Sequence, residues 1–126
     1  KSMQHLQEIL ERMKNLTADE FDQVFACDNE FHEELVEMSR MARLQKAWKE
    51  QYYGNLFAGY DLVQDKEAVA KRQYASHKVI YDACVSGDCE AICKAIKDHY
   101  WRTIAGMMRE QNVDAPHLER GWESAF

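Results

Sequence analysis

Helix-breaking residues are scarce in this chain. One proline and five glycines among 126 residues leave few places where a helix must stop, so long α-helices are the default expectation. No apolar run approaches the ~20 residues of a membrane-spanning helix, and no signal-peptide pattern is present. A basic face is lacking too. The net charge is -6, and the lysines and arginines are scattered rather than gathered into the stripe needed to neutralise phosphates, so this segment alone is not expected to grip DNA or RNA. Paired C-x-x-C spacing is also absent among Cys27, Cys84, Cys89 and Cys93. Three of these cysteines crowd one helical hairpin and nothing else suggests secretion. They are expected to be reduced, small and mostly buried side chains in a cytoplasmic protein.

What is present is the balance of an ordinary folded domain, with 46% hydrophobic and 30% charged residues. Leu6, Ile9, Leu10 and Met13 form one apolar helical stripe across a first helix, Met3 to Asn15. Thr17-Ala18-Asp19-Glu20 has the form of a capping box opening a second helix that runs to about Ser39. A third, aromatic-rich helix is expected from Leu44 to about Val63, weakened by Gly54 and Gly59. A fourth runs from about Lys66 to Val85. Ser86-Gly87-Asp88 then reads as a helix stop followed by a new N-cap. The fifth spans Cys89 to about Glu110, with Ile92, Ala95, Ile96, His99, Tyr100, Thr103 and Met107 facing inward. After an Asp114-Ala115-Pro116 turn, a short tail carries Trp122 and Phe126. The expected architecture is an all-α, antiparallel bundle of about five or six helices in a single domain over residues 1–126.

Polar residues stand out against this apolar pattern. Asp28 and His32 lie four residues apart and project side by side from a face otherwise made of Phe21, Val24, Phe25, Leu35 and Val36. A carboxylate and an imidazole turned into a core are costly unless something satisfies them. His77 sits on the inner stripe of the fourth helix and His99 on that of the fifth. They lie ten residues before and twelve after Gly87, at nearly matched heights in a hairpin closing there. Any one of these features has an ordinary explanation, since an Asp/His pair can simply hydrogen-bond and a lone inward histidine is usually a satisfied core residue. Together, three imidazoles and one carboxylate make a good N3O set for one divalent ion, whether zinc, nickel, iron or manganese, with zinc the foremost candidate. His5 and His117 lie outside the set and are expected at the surface.

The same residues carry a resemblance. Asp28-Asn29-Glu30-Phe31-His32-Glu33-Glu34-Leu35, followed by Ser39 and Leu44, resembles the D-x-x-F-H-x-x-L…S…L signature of the FCD domain, the C-terminal ligand-binding domain of FadR-subfamily GntR-type bacterial transcription regulators. Ser76-His77-Lys78-Val79-Ile80-Tyr81-Asp82-Ala83, then Gly87-Asp88, Ala91 and His99, resembles its E-H-x-x-I-x-x-A…G-D-x-x-A…H signature. The resemblance spans roughly Leu6 to Met107. Met41 stands where the family commonly has asparagine, and Ser76 where it commonly has glutamate.

The resemblance implies a dimeric helix bundle that binds a small organic acid and holds a metal through Asp28, His32, His77 and His99. The effector's carboxylate would complete the metal's coordination. It further implies a winged-helix DNA-binding domain and a first family helix N-terminal to Lys1, both absent from these 126 residues. Tyr74, three residues before His77, Arg102, three after His99, and Tyr52 on the aromatic helix are expected to line the effector pocket. The function expected is therefore effector sensing without catalysis, in a homodimer that reaches DNA only through its N-terminal domain and makes no membrane contact. A metal-dependent hydrolase and a metal-free structural bundle are the rivals.

Overall fold

The computed structural model describes residues 1–51 and 65–110, apart from the side chains of Met107 and Glu110. Among the described residues the regular elements are all helical: α1 (Ser2–Met13), a single 3-10 turn (Ala18–Glu20), α2 (Phe21–Met38), α3 (described over 42–51), α4 (Lys66–Ser86) and α5 (Cys89–Glu110). The all-α class follows the sequence pattern. No described helix is long and apolar enough to cross a membrane. The Gly54 and Gly59 break, the Asp114-Ala115-Pro116 turn, the Trp122 tail, His117 and Met107's inward placement lie outside the described residues.

The chain divides into two compact units, Lys1–Ala75 and Ser76–Phe126, with the division falling inside α4. In the first unit, α1 buries Leu6, Ile9, Leu10 and Met13, the stripe read from the sequence, and packs on α2. Helix α2 answers with Phe21, Val24, Cys27 and Phe31, spaced at three or four residues so that they fall on one side. Phe21 and Val24 also meet Ala70 at the start of α4, with Leu16, Phe25 and Val69 packed around them.

The start of α2 differs from the sequence expectation, whereas its end falls close to Ser39, as the sequence places it. Thr17 does not form a capping box. Its carbonyl accepts the Glu20 amide at 3.1 Å, closing the 3-10 turn, while its hydroxyl donates to the Glu20 carboxylate at 3.5 Å. The amide that the threonine hydroxyl would have satisfied is thus already taken, and α2 begins later, at Phe21. Helix α2 ends at Met38, and just beyond it Arg40 adopts φ 56, a left-handed conformation uncommon for a residue with a Cβ. The Met41 amide donates to the Ser39 hydroxyl at 3.2 Å, satisfying the backbone just past the stop.

His5, expected at the surface, keeps a side chain 42% exposed and joins α1 to α2. Its Nε2 meets Glu30 Oε1 and its Nδ1 meets Glu34 Oε2, both at 2.9 Å, and Arg12 also pairs with Glu30. These contacts tie α1 to the later part of α2, so the two helices run antiparallel. Both acceptors are carboxylates, so both ring nitrogens must donate, and only the imidazolium can do that. The Glu30 and Glu34 hydrogen bonds accordingly raise the His5 pKa above its ordinary 6.5. Burial alone would push the Glu30 carboxyl up, but the hydrogen bonds from Arg12 and His5 outweigh it and hold Glu30 below its ordinary value.

Because the folded His5 pKa lies above the unfolded one, its stabilisation is fully present below pH 6.5 and is lost as pH rises through the folded value. The His5 side chain is 42% exposed, so the effect is screened to under about 1 kcal/mol. The difference in melting temperature between the wild type and His5→Asn should therefore be largest near pH 6 and shrink above pH 7. A difference that stays constant across that range contradicts the pairing.

The second unit contains the remainder of α4 and α5. Gly87 takes φ 70, the left-handed stop that favours glycine, and the Asp88 carboxylate accepts the Glu90 amide at 3.0 Å. Stop and cap stand where the sequence places them. Ile80, Ala95 and Ala105 are buried here, but Thr103, expected inside, is exposed. Its hydroxyl donates back to the His99 carbonyl at 3.0 Å, a local bond that satisfies the side chain on the outer face. A similar local acceptor was not visible at the head of α4, where Asp65 caps the Ala68 amide at 3.0 Å.

Candidate functional site

Helix α2 presents the first pair of candidate ligands. Asp28 Oδ1 and His32 Nε2 lie 3.3 Å apart, one helical turn along the same face. The imidazole is buried, with its side chain 6% exposed, while the carboxylate is 35% exposed. Phe31 stands edge-on to the His32 ring at 5.9 Å, and the Trp48 ring of α3 lies at 6.0 Å. Two donors on one tetrahedral zinc, each bonded at about 2.0–2.1 Å, are separated by roughly 3.3 Å. The observed spacing fits that edge without rearrangement.

The second pair belongs to the hairpin. His77 on α4 is 1% exposed, and its ring centroid lies 4.7 Å from that of His99 on α5, with the planes inclined at 64°. The stop at Gly87 and the cap at Asp88 set the two helices antiparallel, which brings the histidines to the same height as their spacing implies. Ser76 Oγ lies 3.1 Å from His99 Nδ1, and the Tyr100 ring packs edge-on at 5.6 Å. With Nδ1 facing the hydroxyl, a ligand role for His99 falls to Nε2, and the serine fixes ring orientation as outer partners of ligating histidines do. In the sequence, Ser76 stands out only as a departure from a family pattern. The signal that could have found it is its place beside His77 on a helix whose inner stripe meets α5.

Neither Tyr74 nor Arg102 is fully buried. Tyr74 is half-buried, and the Lys14 ammonium sits 4.8 Å over its ring, a cation–π contact within the first unit. Arg102 is exposed. Tyr52 lies outside the described residues. The cysteines are free, but they are not mostly buried: Cys27 is buried, Cys84 half-buried, and Cys89 and Cys93 exposed. Cys89 and Cys93 are four apart on the outer face of α5, whereas Cys27 falls on the packed side of α2. Burial raises the thiol pKa of both Cys27 and Cys84, leaving them poor nucleophiles and poor metal ligands.

In the sequence Trp48 is one aromatic residue in an aromatic helix, with nothing to set it apart. Its indole Nε1 is sealed from solvent and has no hydrogen-bond partner among the described residues.

The chemistry these two pairs offer is that of neutral nitrogen donors and one carboxylate, suited to binding a borderline divalent cation. Comparison with known proteins agrees with the signatures in the sequence. The family model of the FCD domain matches residues 1–102. No curated protein and no solved structure matches the chain.

Proposed function

The chain belongs to the FCD domain family, regulatory effector-binding domains, and from that premise we propose that it senses a small organic acid at one divalent metal ion held by Asp28, His32, His77 and His99. The observation that carries the reading is the preparation of the donors. Asp28 and His32 already stand at the separation of neighbouring ligands, and His77 and His99 are already juxtaposed with one ring anchored by Ser76. The same four residues are the ligand set that the family resemblance implies. The donor set fits zinc best, with nickel, iron and manganese chemically compatible.

When bound, the metal supplies positive charge that offsets the cost of stripping water from a carboxylate. The protein's own residues hold the donors in place and exclude water around His32 and His77. Tyr74, Arg102 and Tyr52 are the candidate pocket-lining side chains around the acid. Within a GntR-type regulator, acid binding would shift helices and bias the geometry of DNA-binding domains in a homodimer.

Titrating hydroxy acids and dicarboxylic acids into metal-loaded and metal-stripped protein by calorimetry tests this reading. At least one acid should bind the loaded form about tenfold or more tightly, a difference of about 1.4 kcal/mol. Equal affinity in the two forms contradicts a metal-anchored effector.

A further inference from the structure

We propose that Trp48 is a ligand-binding residue whose indole N–H donates a hydrogen bond to an acceptor oxygen of the bound acid. The starting point is Nε1 itself, which is buried and has no partner among the described residues, although tryptophan in a protein interior usually finds one. A buried donor left unmade is unfavourable, and more than nine in ten buried polar groups are satisfied in folded proteins. Trp48 is only half-buried as a residue, so the ring could have placed its nitrogen toward water. Instead the polar atom is sealed inside.

Its surroundings suggest what it awaits. The ring packs against His32, with centroids 6.0 Å apart and planes tilted by 41°. His32 is the most deeply buried candidate ligand of α2, so the unmade donor stands beside the chemistry rather than in a remote part of the core. The indole nitrogen is a donor only. Whatever satisfies it must present an acceptor, which a carboxylate, carbonyl or hydroxyl oxygen does and an ammonium group cannot. An acid bound beside His32 supplies such an oxygen. The inference rests on the reading that this domain binds an acid, but it is separable from the identity of the metal ligands. It assigns a specificity role: the portion of the effector nearest α3 is an oxygen acceptor, so ligands with a cationic amine at that position are rejected.

The test follows the indole directly. The protein carries three tryptophans, so 15N-tryptophan labelling gives a small set of indole signals, and Trp48→Phe identifies that of Trp48 while keeping an aromatic ring. If Trp48→Phe does not fold, Trp101→Phe and Trp122→Phe identify the signal by elimination. Zinc-loaded protein is titrated with citrate, malate, succinate and, as a separate arm, inorganic phosphate.

At least one acid should move the Trp48 indole proton downfield and slow its exchange with water. Trp48→Phe should weaken that acid about 10- to 100-fold, as expected for a hydrogen bond to a charged group. Zinc content should be unchanged in the variant. An acid that binds the zinc-loaded variant as tightly as wild type overturns the proposal, as does a Trp48 signal unmoved by every acid. Engagement by phosphate and by none of the acids overturns the assignment of a carboxylate. If instead the protein takes up no zinc while an acid still engages the indole, the Trp48 assignment stands and the metal reading falls.

Discussion

Stripping the metal with a chelator should lower the melting temperature by on the order of 15 °C. A ligand that binds only the folded chain stabilises it by RT ln(1 + [L]/Kd), about 4 kcal/mol when free metal is a thousandfold above Kd. For a domain of this size, each kilocalorie shifts the midpoint by roughly 3–5 °C. The effect would arise because the proposed donors stand on three helices of different sequence position, which the unfolded chain does not bring together. His99→Ala should abolish most of the sensitivity, since His99 is the ring whose orientation Ser76 sets. Scanning calorimetry of loaded and stripped wild type beside the loaded and stripped variant measures it. A loaded wild type whose melting is indifferent to chelation contradicts the linkage.

The second large effect is expected at Phe31. Its side chain is fully buried, 0% exposed, and is the largest of those sealed completely within the fold. Replacing it by alanine removes a whole ring from the inner face of α2 and leaves a cavity that the surrounding helices fill only in part, at a cost of about 3–5 kcal/mol. Total stability for a domain is usually only 5–15 kcal/mol, so the variant should be close to unfolding. Phe31 also packs edge-on to His32, which lies next to it in the chain, so metal affinity should fall along with stability. Urea denaturation should show a lower midpoint with an unchanged slope. A loss below about 1 kcal/mol would mean that the ring is not enclosed as described.

Much of this organisation was legible in the sequence because it is local. The Leu6, Ile9, Leu10 and Met13 stripe is a matter of helical period, and burial follows from period once any partner helix is available. Gly87 and Asp88 were readable because each residue has its own conformational or hydrogen-bonding reason to stand at that place. The Asp28/His32 pair was readable for the same reason: four residues on one helix are adjacent whatever the tertiary fold.

What escaped depends on competition or on distant partners. Thr17 and Glu20 match a capping box by type, but a tighter 3-10 turn consumed the amide that the box requires. The pairing of His5 is not legible because the carboxylates that hold it lie 25 and 29 residues away, and no local pattern announces them. Cys89 and Cys93 were expected inside on composition alone, yet α5 turns that face outward. Trp48 escaped because its aromatic neighbours mark a packed helix, and only coordinates reveal that its nitrogen is enclosed without a partner.

The central claim is that Asp28, His32, His77 and His99 hold one divalent ion. Elemental analysis of protein purified without chelator, loaded with zinc and dialysed, tests it most directly when applied to wild type and to His32→Ala, His77→Ala and His99→Ala. Circular dichroism should confirm that each variant remains helical. One zinc per chain is expected in the wild type, with a loss of most of it in each folded variant. Wild type that retains no metal, or variants that retain it at the wild-type ratio, would contradict the account.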